Sequence, residues 1–253
     1  MRTTPPPYSP LGEDKLYSVF GVNAELLIDH AWGFESCTIK DIKAYVPSDH
    51  SISSGQVLHS PYTAAQARLV VMEMTDALAL DLLEKHLVTD QISLYVGYDR
   101  ESLLDPALRA AYDGPVERDH YGRSVPKPVH GSENLGLYTA SARLLSQAMG
   151  SLYDRIVHPH LLVRRMYVAA GRVLPEGEEK LPAAEQLDMF TDYAALEARR
   201  KVQDAEMARE KRRLQAVLGI KQRFGKNAIL RGFDFLDGAT ARDRNAQIGG
   251  HRA

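Results

Sequence analysis

Hydrophobic and polar residues alternate along one short stretch of the chain and recur with a helical spacing in two longer ones. Ile92, Leu94, Val96 and Tyr98 share one face of an alternating segment, which predicts a half-buried strand. After Thr63, a suitable N-cap, apolar residues step by three and four and predict a long helix, and a second helix is predicted over residues 133–156. The two buried stripes are predicted to be Ala67, Val71, Met74, Leu78 and Leu82 in the first helix, and Tyr138, Ala142, Leu145, Met149 and Leu152 in the second.

Three more segments complete the strand pattern. Residues 51–58 predict a strand broken near Gly55, and residues 161–169 predict the last strand. Residues 124–129 are predicted to form an edge strand, because Pro126 and Pro128 exclude a central one. A polar insertion, residues 99–124, with one helical turn near residues 107–112, leads into that edge strand. The order β-α-β-β-α-β predicts an α+β sandwich, with two helices on one face of a four-stranded sheet.

The same patterns divide the chain into five segments. Residues 1–10 are rich in proline and are predicted to be extended or disordered. Residues 11–47 predict a short helical pair, turning at Gly21, and a linker; the pair is too small to bury its own apolar face. The sandwich occupies residues 48–175, and a tether occupies residues 176–194. Residues 195–253 comprise a charged helix, 195–223, and a Gly-rich basic tail that we expect to be ordered only with a partner.

The composition narrows the class of protein. A chain of 253 residues is long enough for one sizeable core or two small domains. Cys37 is the single cysteine, which excludes a disulfide framework and a cysteine-rich zinc site within the chain. The sequence has no apolar run of membrane-spanning length and begins without a signal-peptide pattern. We therefore expect a cytoplasmic protein with no membrane partner.

Charge is distributed unevenly along the chain. The net charge is −2, but residues 199–252 hold 14 Lys and Arg against 6 Asp and Glu. A basic segment behind an acidic body favours a polyanionic partner, with nucleic acid as the first candidate. The alternative is a solvated helix face without a partner.

The sequence shows no group of residues with the spacing typical of a catalytic site. Metal-dependent nucleotidyl transfer needs clustered carboxylates on adjacent strands, and no such pair falls on a predicted strand. The acidic pairs at residues 13–14 and 178–179 are predicted to lie on the surface. Cys37 with His30 is a conceivable nucleophile and base, but a small buried cysteine is the simpler interpretation. His158 and His160 are predicted to form a turn rather than a metal site. We expect no catalytic, metal or cofactor site in this chain.

A pentapeptide in the tether carries a different signal, in the sequence Gln186, Leu187, Asp188, Met189 and Phe190. Its Gln amide and its apolar groups, on either side of a solvent-facing Asp, can enter separate pockets of a partner. Few residues then need ordering, which limits the entropic cost of binding. The alternative is that the three apolar side chains pack back on the domain.

Several motifs together resemble one protein family. Residues 20–22 with residues 30–35 are similar to the end of the thumb of Y-family (UmuC-like, translesion) DNA polymerases. Residues 51–58 resemble the start of their little-finger domain, with His50 where the family usually has Lys. Residues 92–98 and 162–166 match two strands of that domain. Residues 228–232 and 249–252 resemble the tail of Gram-positive UmuC-like members, and residues 186–190 resemble the QLxLF sliding-clamp motif, with Met189 replacing Leu.

The resemblance implies a role in DNA repair by translesion synthesis, within the SOS response. The little finger would lay its sheet along damaged or primer-template DNA, and the pentapeptide would bind the replication sliding clamp. The residues implied in DNA contact are Ser51, Ser53, Ser54, Gln56, Arg164 and Arg165. The family's palm and fingers, which bind Mg²⁺ and the dNTP, would lie before Met1. We therefore expect the chain to be inactive alone.

Three interpretations remain open from the sequence. The chain is the DNA- and clamp-binding C-terminal portion of a polymerase that lacks its palm and fingers, either as a truncated or cut copy or as one half of a split gene whose palm-and-fingers half is a separately encoded partner. Alternatively, it is a stand-alone, non-catalytic competitor that binds clamp or DNA and limits polymerase access. A generic α+β fold with an unrelated ligand is the third interpretation, and it predicts no affinity for DNA or clamp.

Overall fold

The computed structural model of the protein describes residues 12–35, 37–45, 50–119, 121–178, 193–248 and 251–252. The chain divides into two compact units, residues 1–48 and 49–253.

The first unit consists of short helices: α1 (Glu13–Phe20), a 3-10 turn (Gly21–Asn23), α2 (Ala24–Ala31) and α3 (Ile39–Ala44). Gly21, with a φ of 56°, ends α1 in the left-handed region that glycine tolerates. Thr38 and Asp41 form a capping box at the start of α3, a helix that the sequence did not predict. Among the described residues of this unit, only Ala24 and Ile28 are buried. The predicted helical pair is present and leaves most of its apolar face exposed.

The second unit contains the remaining elements. In chain order they are β1 (Ile52–Tyr62), α4 (Ala64–Glu84), β2 (Leu87–Tyr98), α5 (Glu101–Leu104), α6 (Pro106–Ala110), β3 (Val116–Arg118), β4 (Ser124–Pro126), β5 (Val129–Thr139), α7 (Ala142–Ile156), β6 (Val163–Gly171), β7 (Leu174–Pro175), α8 (Tyr193–Phe224), a 3-10 helix (Gly232–Phe235), α9 (Ala241–Asn245), β8 (Gln247–Ile248) and β9 (His251–Arg252).

An antiparallel sheet organises this unit. Its spatial order is β1-β6-β2-β5, and β7 pairs with the start of β2. The two central strands, β6 and β2, are therefore the last and the second main strands in the chain. Helices α4 and α7 connect the strands in the order β-α-β-β-α-β, which confirms the predicted α+β class.

The core lies between the sheet and the two long helices. Thr63 and Gln66 form a capping box that starts α4, and the Ser141 hydroxyl accepts the Leu144 N–H at the start of α7. Every predicted apolar position of α4 is buried, as are those of α7 from Ala142 onward. They pack on Ile92, Leu94, Val96, Met166 and Val168. Burying one such aliphatic side chain contributes about 1.5–3 kcal/mol, so the many side chains buried at this interface strongly stabilise the unit.

The predicted boundary between the third strand and the second helix is wrong. Residues 133–139 belong to β5 rather than to the helix, and the predicted edge strand, 124–129, separates into β4 and the start of β5. Half-buried and exposed residues alternate from Val129 to Leu137, as a strand requires. Gly131 fits closely under α7, since a Cβ there would lie 3.1 Å from Leu152 Cδ1. Tyr138 thus belongs to a strand, not to the helical stripe.

The predicted break at Gly55 is also wrong. β1 continues through Gly55, and its irregularity lies later, between Val57 and Tyr62. The space that a side chain would take at Gly55 is filled by the ring of Tyr167 on the neighbouring strand β6. Glycine at this position therefore serves a close approach rather than a bend.

The polar insertion folds into two short helices and a hairpin. α5 and α6 lie on either side of Asp105, whose carboxylate accepts the N–H groups of Ala107 and Leu108 at the start of α6. β3 and β4 form a separate two-stranded hairpin. The predicted helical turn near residues 107–112 corresponds to α6.

The charged helix and the tail pack on the domain. Within α8, Leu214 is 3% exposed and joins the core. The prediction that a partner orders the tail is wrong for residues 226–248, which contain α9 and the buried side chains of Asp234 and Ala241. Within the described ranges, no helix combines the length and the apolar content needed to cross a membrane.

Candidate nucleic-acid interface

Helices α4 and α7 of the second unit pack on one face of the sheet, and strand register places three rows of side chains on the other face. We call this surface the open face, and it comprises Ser53, Gly55 and Val57 of β1, Arg165, Tyr167 and Ala169 of β6, and Ser93, Tyr95 and Gly97 of β2. The opposite face contains the fully buried Met166, Val168 and Ala170. Tyr167 is 45% exposed and Val57 is 65% exposed, so the open face is accessible to a large partner.

Arg165 lies flat across the open face. Its side chain passes over Gly97, where a Cβ would lie 2.7 Å from the Arg165 Cγ and Nε atoms. The Arg165 Nη2 donates a hydrogen bond of 3.1 Å to the hydroxyl of Tyr95, and the guanidinium carbon lies 5.6 Å from the centre of the Tyr95 ring. Glycine and tyrosine together hold a cation in the plane of the sheet.

Tyr167 occupies the next row. Its ring lies over Gly55, with Cε1 only 2.3 Å from where a Cβ would be, and it meets the Tyr95 ring edge-on at a centroid distance of 5.7 Å. The hydroxyls of Ser53 and Ser93 lie one row further along the strands, opposite Ala169. The open face thus combines one fixed guanidinium, two aromatic rings and two hydroxyls, which are groups that contact nucleic-acid backbones.

The residues predicted from the sequence to contact DNA do not all belong to the open face. Ser53 and Arg165 do, and Ser51 is exposed just before β1. Ser54 and Gln56 pair with Val168 and Met166, so they face the helices instead. A one-residue shift along a strand reverses the face, which separates these neighbours.

Two of the predicted residues already have partners within the chain. The Gln56 Oε1 accepts a hydrogen bond from the Thr240 hydroxyl at 3.3 Å and from the Arg244 Nη1 at 2.9 Å. Arg164 donates from Nη1 to the carbonyl of His59 at 3.0 Å, and its Nε lies 3.7 Å from Asp99 Oδ2. Both side chains connect parts of the fold, and Arg165 is the arginine that faces outward.

The tail is held by a buried carboxylate that the sequence analysis missed. Glu73, on α4, is 3% exposed, and its Oε2 accepts the N–H groups of Thr240 at 2.9 Å and Ala241 at 3.0 Å. Burial raises the pKa of Glu73, and these hydrogen bonds oppose the rise without cancelling it. Among the described residues, its Oε1 has no hydrogen-bond partner. Spacing along the chain gave no signal for this contact, because 167 residues separate Glu73 from Thr240.

Other basic residues of the C-terminal region are also paired. Arg231 forms an ion pair with Asp76, and Lys211 forms one with Glu176. The charge excess that favoured a polyanionic partner is therefore reduced where the region touches the domain.

Within the described residues, the Cys37 thiol forms no hydrogen bond with the His30 imidazole, and Glu35 bridges the two residues instead. His30 Nε2 lies 2.7 Å from Glu35 Oε2, and Glu35 Oε1 accepts the N–H of Cys37 at 3.1 Å. The pKa of Glu35 is lowered, first by that backbone hydrogen bond and then by His30. Cys37 is exposed, contrary to the expectation of a small buried cysteine, and its thiol lies by the Thr38 carbonyl rather than by the imidazole.

The other residues considered for chemistry lie in a turn or on the surface. The His160 N–H donates to the Nδ1 of His158 within a turn. Glu13 and Asp14 lie exposed in the first turn of α1, and Glu178 is exposed after β7. Across the part of the chain that the structure describes, no three His, Cys, Asp or Glu side chains are grouped to hold a metal ion. Residues 186–190, the predicted clamp-binding peptide, lie outside the described residues.

Comparison with known proteins identifies the family. Residues 49–189 match the family model described as the impB/mucB/samB family C-terminal domain. Among solved structures, the insertion ternary complex of Dbh DNA polymerase is similar to this chain, with a TM-score of 0.31 and 10% sequence identity over 65% of this chain and 39% of that one. The chain thus spans about two fifths of the length of that polymerase. No curated protein matches the chain. Because the family match covers more than half of its residues, the chain belongs to the impB/mucB/samB family and contains the C-terminal domain of Y-family polymerases.

Proposed function

We propose that the open face binds the sugar-phosphate backbone of damaged or primer-template DNA, as the little-finger part of a translesion polymerase. The position of Arg165 carries this proposal. Its guanidinium is held over Gly97 by Tyr95, on the sheet face turned away from α4 and α7. A charged donor held in place before binding loses little conformational entropy when a phosphate arrives.

The chemistry of the open face suits backbone contact without sequence readout. Arg165 uses one N–H on Tyr95, which leaves further donors for phosphate oxygens. The hydroxyls of Ser53, Ser93 and Tyr167 can donate to neighbouring phosphates or sugars. Contacts of this kind position a protein on a duplex but do not select bases, as synthesis across varied lesions requires.

Binding of wild-type protein to DNA tests the proposal. Fluorescence anisotropy with two unrelated duplexes at several salt concentrations should give similar affinities and a steep loss of binding with salt. Arg165→Ala should weaken binding to both duplexes and reduce the slope of log affinity against log salt by about one. Arg199→Ala, at an exposed position of α8, is the matched control. A flat salt response, or a preference between duplexes above about tenfold (~1.4 kcal/mol), would contradict the proposal.

No step of nucleotide transfer is assigned to the described residues, because they do not offer the carboxylate cluster that Mg²⁺ and a dNTP require. We expect the chain by itself not to extend a primer in the presence of Mg²⁺ and all four nucleotides. Extension above a mock preparation would contradict this expectation.

We further infer that Gln186, Leu187, Asp188, Met189 and Phe190 bind the replication sliding clamp. A tether at the clamp raises the local concentration of the DNA-binding domain at the primer end. In calorimetry with a bacterial clamp, replacing both Leu187 and Phe190 by Ala should abolish binding, since each buried apolar anchor contributes about 1.5–3 kcal/mol. Asp188→Ala is the control and should bind as the wild type does.

The competing outcome is also measurable. If the apolar residues pack on the domain, the double variant melts at a lower temperature and the wild type does not bind a clamp. That pair of results would overturn the inference.

A further inference from the structure

The polar insertion contains a groove of about 450 Å³ around which three arginines converge. Arg100 precedes α5, Arg109 belongs to α6, and Arg123 comes from the turn before β4, so the fold brings them together from separate segments. All three are exposed. The rest of the lining is mainly aliphatic, from Leu103, Leu104 and Val116.

The positive charge of this arginine groove is only partly compensated. The Arg123 Nη2 pairs with Asp119 Oδ2 at 2.6 Å, and the guanidinium stacks on Tyr121 at 4.7 Å. The Arg109 Nη1 donates to the Tyr112 carbonyl at 3.0 Å, a neutral acceptor. The Arg100 guanidinium forms no hydrogen bond or ion pair with any residue that the structure describes. Like charges gathered at one groove repel each other unless an anion joins them.

The arginine groove adjoins the end of the sheet that carries Arg165. Asp99 follows directly after β2, and its N–H donates to the carbonyl of Leu162, just before β6. Its carboxylate lies 3.7 Å from Arg164 Nε. The pKa of Arg123 is raised chiefly by its hydrogen bond to Asp119, and Asp99 adds a smaller Coulombic contribution. Asp99 therefore lies close to both the arginine groove and Arg164 of β6.

We propose that the arginine groove is a second phosphate-binding site, which takes a backbone phosphate of the same DNA that lies on the open face. Guanidinium groups present forked donors that match phosphate oxygens in pairs. Arg100 and Arg109 supply guanidinium groups that form no ion pair with any described carboxylate, and Arg123, held by Asp119, fixes one side of the site. The insertion thereby lengthens the DNA contact beyond the sheet. This proposal rests on the proposed function of the open face.

Salt-dependent anisotropy with the full chain tests the arginine groove. Replacing Arg100 and Arg109 by Ala should lower the slope of log affinity against log salt by about 0.9, the contribution of one lost phosphate contact. The matched control replaces Arg199 and Arg200, two exposed arginines of α8, by Ala and should leave the slope unchanged. Replacing Arg100 and Arg109 by Lys keeps the charge and should retain most of the slope.

The outcomes separate this proposal from the one on which it rests. If Arg165→Ala weakens binding but the Arg100 and Arg109 variants match the wild type, the arginine groove is not a phosphate site and the open face still is. If the wild type binds no DNA, both proposals fall. If loss of the Arg109 hydrogen bond to Tyr112 unfolds the insertion, the Arg100→Ala variant tests the arginine groove by itself. It removes no hydrogen bond or ion pair among the described residues and should still lower the slope, by at most about 0.9.

Discussion

Two glycines of the sheet, Gly55 and Gly97, determine how the side chains of the open face lie. Each faces a large residue of β6, Tyr167 or Arg165, which crosses over the glycine rather than projecting into solvent. Neither glycine has a positive φ, so backbone geometry would accept alanine at both positions. Glycine is required at these positions because the side chains of Tyr167 and Arg165 occupy the space of a Cβ, and not because of the backbone conformation.

Gly97→Ala tests this arrangement. The new Cβ would lie 2.7 Å from the Arg165 stem, so the arginine must move and release Tyr95. We expect DNA affinity to fall several-fold, roughly 1 kcal/mol, while the melting temperature changes little, because Arg165 can swing into solvent.

Gly219→Ala provides the matched control. Gly219 lies in α8 with nothing near its missing Cβ, so this change should raise helix stability by about 0.5–1 kcal/mol and leave DNA binding intact. Equal DNA affinity of the two alanine variants would show that Arg165 does not act from its position over Gly97.

At the scale of elements, α8 is fixed to the domain by a helix cap. Glu210 is 8% exposed, and it accepts hydrogen bonds from the Ser141 hydroxyl at 2.6 Å and the Arg143 N–H at 2.9 Å. The carboxylate thus lies at the N-terminus of α7, where backbone N–H groups and the helix dipole favour a negative charge. One residue of α8 therefore stabilises two helices.

We expect Glu210→Ala to lower the free energy of unfolding by about 1–2 kcal/mol, as loss of a helix cap does. Urea denaturation followed by circular dichroism gives this quantity. Glu206→Ala, on an exposed position of the same helix, should be within about 0.5 kcal/mol of the wild type. If both variants lose the same free energy of unfolding, the Glu210 cap does not contribute to the stability of the protein.

The contact between α4 and the tail predicts a pH dependence. Burial raises the pKa of Glu73, so the unfolded state releases this proton at a lower pH than the folded state does. The stabilising contribution is complete below the ordinary carboxyl pKa, about 4.3, and is lost as pH rises through the raised folded pKa. Glu73→Gln keeps an acceptor for Thr240 and Ala241 but cannot ionise.

The stability of Glu73→Gln relative to wild type should therefore increase as pH is raised from 4 to 8, as measured by urea denaturation. Other titrating groups, including Asp81, whose pKa burial also raises, are present in both proteins and cancel in the difference. If the free energies of unfolding of the two proteins change with pH in parallel over this range, the raised pKa of Glu73 is contradicted.

At the scale of the whole molecule, local sequence patterns predicted most helices and strands, whereas long-range contacts determined the ambiguous boundaries and the face on which each side chain lies. Alternation in residues 92–98 and the cap at Thr63 were visible in the sequence, and both elements formed. Residues 133–139 were ambiguous, because Tyr138 lies at helical spacing from Ala142 as well as at the end of an alternating strand. Hydrophobic periodicity alone could not distinguish a helix from a strand in this segment.

The candidate site was predicted less completely than the fold. Sequence similarity pointed to residues 51–56 and 164–165, but not to the face on which each side chain lies. That face depends on register, since Gln56 pairs with Met166 while Gly55 pairs with Tyr167. The bond between Gln56 and Arg244 joins residues 188 positions apart, a separation at which no periodicity in the chain is informative.

The most direct test of the open face is hydroxyl-radical footprinting of the full chain, read by mass spectrometry with and without duplex DNA. We expect reduced labelling of Val57 and Tyr167, which are 65% and 45% exposed in the structure. Val202, on α8 and 61% exposed, should be labelled equally in both samples. Protection of Val202 with unchanged labelling of Val57 and Tyr167 would contradict this expectation and place the DNA on the charged helix instead.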